Sequence, residues 1–183
     1  QSHTLMRSAA QRMDFRFTMP FNDTVTGIRI YSNDGGGDRP SVMAGIQENS
    51  GGDPSTVYIT SNTLAIGSGS GWKVATVPNA DLDSGSVYHM VLTLETSGNY
   101  SSRLMYGRPY QEYDPVNQVE DTNRAVMLSV DSGATWALQG TNTPIFMLDF
   151  ASGRFLGNIY YGQQNYTIGY GGGTGLPATG DTL

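Results

Sequence analysis

The chain alternates apolar and polar residues over short stretches, and apolar positions with helical spacing are hard to find. In Phe15–Met19, apolar side chains occupy every second position, which is the spacing of a strand with one buried face. β-Branched and aromatic residues, which favour strands, are frequent in these stretches. The pattern predicts eight strands: Asp14–Met19, Val25–Tyr31, Ser41–Gln47, Trp72–Val77, Val87–Leu94, Arg124–Val130, Ile145–Phe150 and Asn165–Tyr170.

Turn-forming residues separate the predicted strands. They lie in five clusters: Asn33–Asp38, Asn49–Pro54, Gly67–Gly71, Asp81–Gly85 and Ser97–Asn99. Short strands with such turns between them predict an all-β fold, an antiparallel β-sandwich of the jelly-roll type. We expect an N-terminal arm over 1–12, the sandwich over 13–168 and a Gly-rich C-terminal tail over 169–183.

Composition narrows the class of protein. The 183 residues suffice for one domain with its own core, and no apolar run reaches the ~20 residues of a membrane-spanning helix. A net charge of −6 with a single lysine, Lys73, disfavours nucleic acid as a partner. The absence of cysteine excludes a disulfide framework, a thiol nucleophile and Cys-ligated zinc.

One local motif is specific. The eight residues from Ser129 to Trp136 (SVDSGATW) fit the pattern Ser-x-Asp-x-Gly-x-Thr-Trp, and they resemble an Asp-box hairpin. The resemblance implies structural roles for Ser129, Asp131, Gly133 and Trp136. In sialidases the motif repeats around a propeller, away from the catalytic site, so a single copy in 183 residues does not imply sialidase activity.

A looser resemblance covers about residues 11–94. It rests on an opening strand at Gln11–Phe17, the loop Gly52–Ser55, a strand start at Gly71–Val74 and the segment Leu82–Val91. This order resembles the non-catalytic jelly-roll domains of prokaryotic and archaeal surface proteins and of virus tail or spike proteins. The resemblance implies accessory or structural work at an exposed surface.

Two loops carry carboxylates among glycines and polar residues. Calcium prefers six to eight oxygen ligands from flexible loops, so the candidate metal ligands are Asp34, Asp38, Asp81 and Asp83. Neither loop has EF-hand spacing. The alternative is that these side chains stabilise turns by bonding their own backbone. A structural calcium ion is the one cofactor that the sequence suggests.

Aromatic residues provide the other candidate site. Binding sites for sugars combine exposed aromatic rings with hydrogen-bonding side chains, and such residues cluster in the predicted loop 106–114. The candidate ligand-binding residues are Tyr106, Arg108, Tyr110, Glu112 and Tyr113. The alternative is that tyrosines cover sandwich faces or subunit contacts. Trp72 and Trp136 are expected in the core.

Catalytic signatures are lacking. His89 lies in an alternating strand without a local nucleophile or carboxylate motif, and no serine lies in a Gly-x-Ser-x-Gly elbow. We therefore expect a non-enzymatic, extracellular structural or adhesive protein of a cell surface or virion, the repeating subunit of a filament, tube or appendage. Its edge strands and terminal segments would contact neighbouring subunits in a homo-oligomer. The alternative is a carbohydrate-binding module with a glycan partner, alone or attached to a larger protein.

Overall fold

The computed structural model describes residues 2–5, 8–33, 41–67, 69, 71–95, 103–109, 126–138, 142–144, 146–161 and 165–171. Every regular element within these ranges is a β-strand. The strands are β1 (Ser2–Leu5), β2 (Arg12–Thr18), β3 (Asp23–Asn33), β4 (Ser41–Ser50), β5 (Asp53–Ala65), β6 (Gly71–Leu82), β7 (Val87–Leu94), β8 (Arg103–Pro109), β9 (Val126–Ser129), β10 (Ala137–Leu138), β11 (Asn142–Pro144), β12 (Phe146–Phe150), β13 (Phe155–Tyr161) and β14 (Asn165–Gly171).

The strands form two antiparallel sheets. The first sheet has the order β1-β8-β3-β12-β13-β14, with β6 also paired to β3 and β11 paired to β8. The second sheet has the order β10-β9-β2-β7-β4-β5. The two sheets pack against each other, so the predicted antiparallel β-sandwich is confirmed.

The core lies between the sheets and follows from the alternation along the strands. In β2, the side chains of Met13, Phe15 and Phe17 are buried in the core cluster, and Arg12, Asp14 and Arg16 lie on the opposite, outward face. Phe146 of the first sheet stacks on Phe15 with ring centroids 5.8 Å apart. Apolar contacts of this kind join the two sheets.

Side chains also close one seam of the sandwich, where β5 and β6 lie at neighbouring edges of different sheets. The Thr60 hydroxyl donates to the backbone carbonyl of Pro78 at 2.6 Å, and the Asn62 amide donates to that of Thr76 at 2.7 Å. These bonds occupy backbone acceptors that an edge strand would otherwise expose.

The eight predicted strands correspond to β2, β3, β4, β6, β7, β9, β12 and β14. The pattern missed β1, β5, β8, β10, β11 and β13. The structure pairs Ser2–Leu5 with β8 and places Gly169–Gly171 in β14, so strands extend beyond the limits expected for the sandwich domain.

The expectation that both tryptophans are core residues was wrong for Trp72. Ala75 and Val77 of β6 face the core, and alternation therefore places Trp72 on the outward face, where it is 36% exposed. Trp136 is half-buried just before β10.

Candidate functional site

The Asp-box segment forms a compact hairpin turn between β9 and β10. The Asp131 carboxylate accepts hydrogen bonds from the Thr135 amide at 2.9 Å and from the Thr135 hydroxyl at 2.6 Å. It also accepts one from the buried Ser129 hydroxyl at 2.7 Å. These bonds, led by the one from the Thr135 hydroxyl, lower the pKa of Asp131 to about 2. The Asp131 carboxylate thus bonds two residues of the turn, Ser129 and Thr135.

The backbone conformation of Gly133 favours glycine in this turn. Its φ of 88° lies in the left-handed region, and a Cβ there would come within 2.9 Å of Arg12 Nη1. The Arg12 side chain, from the outward face of β2, therefore lies against the turn. Arg12 and Ser129 are also register partners in β2 and β9, which connects the hairpin to the outward face of the second sheet.

That outward face holds a polar cluster, which we define as Asp14, His89, Asn49, Gln47 and Arg16; Asp14, His89 and Gln47 are buried. His89 Nδ1 lies 2.8 Å from Asp14 Oδ2, and His89 Nε2 lies 3.0 Å from Asn49 Oδ1. The side chains of Asp14 and His89 are fully buried. The contacts join β2 and β7 to the end of β4, near the turn before β5.

Burial and the neighbouring charges act in opposite directions on the pKa of Asp14 in this cluster. Burial raises the pKa of Asp14 to about 6, although the hydrogen bond and charge of His89 and the charge of Arg16 act to lower it. Among the described residues, Asp14 Oδ1, Arg16 Nε and both amide atoms of Gln47 are buried without a hydrogen-bond partner. Burying polar or charged atoms without a partner costs free energy, so these atoms reduce the stability that the cluster contributes.

Chemically, the cluster is arranged to join strands rather than to react. Both ring nitrogens of His89 are occupied, one by Asp14 and one by Asn49, so neither is presented to a substrate. Sequence reasoning found no carboxylate near His89 because Asp14 is 75 residues away along the chain. The register of β2 against β7 brings the two side chains together, and a sequence without pairing information does not contain that signal.

Tyr58 lies across this face from the neighbouring edge strand. Its hydroxyl bonds the Thr93 hydroxyl at 2.9 Å, so the side chain crosses β4 to reach β7. A Cβ at Gly45 would lie 2.4 Å from Tyr58 Cδ1 and 2.6 Å from the backbone oxygen of Thr60. Gly45 is therefore required for this close approach.

Of the predicted metal ligands that the structure describes, Asp81 lies in β6 and Asp83 lies at the turn that follows it, so Asp81 is not in a loop as expected. Asp81 Oδ1 accepts a hydrogen bond from the Thr24 hydroxyl at 2.5 Å. The Asp83 carbonyl accepts from the Ser86 amide at 3.2 Å. Among the described residues, no three His, Asp or Glu side chains lie together as a metal site would require. Asp34 and Asp38 lie outside the described residues.

The predicted ligand-binding stretch begins as a strand, not as a loop. Tyr106 and Arg108 belong to β8, where Tyr106 pairs with Ser2 on one side and Pro144 on the other. Tyr110, Glu112 and Tyr113 lie outside the described residues, so the structure does not show the five candidates together.

The outward face of the first sheet carries a second group of side chains that we call the aromatic patch: Tyr31, Trp72, Val74, Arg29 and Asp149. The rings of Tyr31 and Trp72 meet edge to face with centroids 5.7 Å apart. Arg29 Nε donates to Asp149 Oδ2 at 2.7 Å, and both side chains are partly exposed. The register pairs Trp72 with Tyr31 and Val74 with Arg29, which makes the patch continuous.

The far edge of the first sheet is formed by β14, whose only partner among the described strands is β13. Its sequence, NYTIGYG, combines aromatic and β-branched residues with glycine. The chain has no charged residue between Arg154 and Asp181, so the whole β13–β14 hairpin is uncharged.

No family model matches the chain, and neither the curated proteins nor the solved structures contain a match. Within the part of the chain that the structure describes, no helix is long and apolar enough to cross a membrane.

Proposed function

We propose that this protein is a non-enzymatic structural or adhesive subunit that associates with copies of itself through the β14 edge. In this proposal the sandwich has jelly-roll topology, and the protein acts outside the cell, on a cell surface or in a virion. The Gly-rich segment after β14 extends the contact onto the neighbouring subunit.

The observation that carries the proposal is the chemistry of the β14 edge. Natural edge strands are usually protected against pairing with other chains by charged side chains, proline, bulges or short length. β14 spans seven residues, and its sequence contains neither a charged residue nor a proline. Its register with β13 runs from Gly171 to Asn165 without a shift. A regular, uncharged edge is a suitable template for an added strand.

The β5–β6 seam provides a contrast within the same molecule. There, Thr60 and Asn62 cover backbone acceptors of the neighbouring edge. β5 also contains a register shift against β4, which disturbs any template for strand addition. Self-association is therefore expected at β14 in preference to this seam.

The other properties of the proposed subunit follow from the chain. Both ring nitrogens of His89 are engaged in contacts within the fold, which favours a non-enzymatic role. A structural calcium ion at the loops of Asp34, Asp38, Asp81 and Asp83 remains part of the proposal. Sequons at Asn22 and Asn99 suit an exposed extracellular surface.

The test is the mass of the particle in solution, measured by size-exclusion chromatography with light scattering. The variant Thr167→Lys places a charge in β14, which pairs Thr167 with Ile159 in the register of the hairpin. We expect the wild type to form oligomers and Thr167→Lys to remain a folded monomer. Deleting 172–183 is expected to weaken assembly without unfolding the domain.

Two matched variants serve as controls. Thr167→Val keeps a strand-forming side chain without charge and is expected to assemble as the wild type does. Thr56→Lys adds the same charge at an exposed position of β5 and is also expected to assemble. A monomeric wild type, or equal assembly of Thr167→Lys and wild type, would contradict the proposal.

A further inference from the structure

The aromatic patch exposes apolar surface that the β14 edge does not use. Trp72 is 36% exposed and Val74 is 54% exposed, although large apolar side chains are usually buried. Tyr31 holds Trp72 through an edge-to-face contact. The indole is therefore fixed by a ring neighbour while part of it remains open to solvent, an arrangement that aromatic binding surfaces use.

Hydrogen-bonding groups lie on the same sheet face as the rings, with Arg29 two residues before Tyr31 on β3. The register places Arg29 opposite Val74 on one side and opposite Met147 on the other. The Arg29 side chain is 42% exposed and that of Asp149 is 26% exposed. A guanidinium offers five donors and a carboxylate several acceptor positions, so this pair provides both kinds of partner at one point of the surface.

The backbone of β3 is adapted to hold this pair. A Cβ at Gly27 would lie 2.9 Å from Asp149 Oδ2, the oxygen that accepts the bond from Arg29 Nε. Glycine at this position therefore leaves the space in which the carboxylate reaches the guanidinium. Because Gly27, Arg29 and Tyr31 alternate on one strand, the rings and the ion pair are fixed in relative position by the sheet.

We infer that the aromatic patch binds a neutral oligosaccharide, with the face of one sugar ring against Trp72 and hydroxyl groups along the oligosaccharide bonded to Arg29 and Asp149. A pyranose presents C–H groups on its faces and hydroxyls at its rim, which matches an aromatic surface flanked by polar side chains. The partner Asp149 already compensates the charge of Arg29. Together with the net charge of −6, this favours an uncharged ligand over a polyanion. The site is independent of the β14 edge.

Isothermal titration with defined oligosaccharides tests the inference. The neutral probes are maltohexaose, cellohexaose and mannohexaose, and the anionic probe is a heparin hexasaccharide. We expect at least one neutral probe to bind, with Kd on the order of 1 mM or tighter. Trp72→Ala is expected to weaken binding roughly tenfold, and Trp72→Phe less, since stacking on an aromatic ring remains.

Further variants separate the patch from general damage to the fold. Arg29→Gln is also expected to weaken binding, and it leaves the aromatic rings unchanged. Val130→Ala, at an exposed position directly after β9 of the second sheet, is expected to bind as the wild type does. The inference is overturned if no neutral probe binds, if only the heparin probe binds, or if both Trp72→Ala and Arg29→Gln retain wild-type affinity. It is also overturned if Trp72→Ala dissociates the oligomer, because the patch would then be an interface between copies.

Discussion

Replacing Asp14 with Asn is expected to remove a dependence of stability on pH that has an unusual direction. Burial raises the pKa of this carboxyl from 3.8 to about 6 in the folded state. A raised pKa means that the folded state binds the proton more tightly than the unfolded state does. Stability from this group is therefore greatest below pH 3.8 and is lost as pH rises through 6.

The size of the effect follows from the shift. About two pH units correspond to about 3 kcal/mol in the free energy of unfolding, on an order-of-magnitude basis. Between about pH 4.5 and about pH 7.5, about 2 kcal/mol of this difference is realised, because the unfolded carboxyl is already largely ionised at pH 4.5. With a urea dependence of about 2 kcal/mol per molar, Asp14 should raise the unfolding midpoint by roughly 1 M at the lower pH relative to the higher pH. The Asn side chain does not ionise, so Asp14→Asn should show little of this change.

Urea unfolding at about pH 4.5 and about pH 7.5, followed by tryptophan fluorescence, measures the difference. Lys, Arg and the other carboxyls are common to both proteins, so the contrast between wild type and Asp14→Asn isolates the buried pair. Asp83→Asn, in an exposed turn, controls for the loss of any carboxyl and is expected to follow the wild type. A variant that keeps the full wild-type difference between the two pH values would refute the reasoning.

Three further outcomes are expected. Gly45→Ala should destabilise the fold by about 3 kcal/mol in urea unfolding, because its Cβ would meet Tyr58 and the backbone of Thr60. Gly27→Ala should lower the free energy of unfolding less, because the closest atom there is a carboxylate oxygen of Asp149. The ionised Asp131 carboxylate stabilises the wild type above pH 3.8, and this stability is lost as pH falls towards 2. Asp131→Asn should lack this contribution at every pH, and thermal melts of both proteins across that range measure the difference. If calcium is bound, the melting temperature should fall in EDTA and recover with added calcium, and an unchanged temperature would exclude a stabilising site.

Local pattern was sufficient where the core-side positions of a strand are apolar, as in β7, and insufficient where they include polar residues, as in β5. β7 was predicted with its observed limits because Tyr88, Met90 and Leu92 alternate into the core. β5 was missed because its core-side positions include Thr60 and Asn62, which bond backbone carbonyls of β6 instead of packing. Polar side chains that close a seam resemble a loop in sequence.

Most contacts in the candidate sites join residues that are far apart in the sequence, so local sequence patterns do not predict them. The Asp-box was visible because its bonds connect residues within one short segment, as from Asp131 to Thr135. The contact of Asp14 with His89 depends on strand register, and the exposure of Trp72 depends on which face of β6 meets the core. Both follow from pairing between distant strands, which periodicity alone does not determine.

Amide hydrogen exchange within β14 tests the proposed assembly most directly. If copies add strands at this edge, backbone amides of Asn165–Gly171 should be more protected in concentrated wild-type protein than in dilute protein or in Thr167→Lys. Amides of β7, which are paired on both sides within the subunit, should show no such difference. Oligomers that form without added protection in β14 would contradict the account.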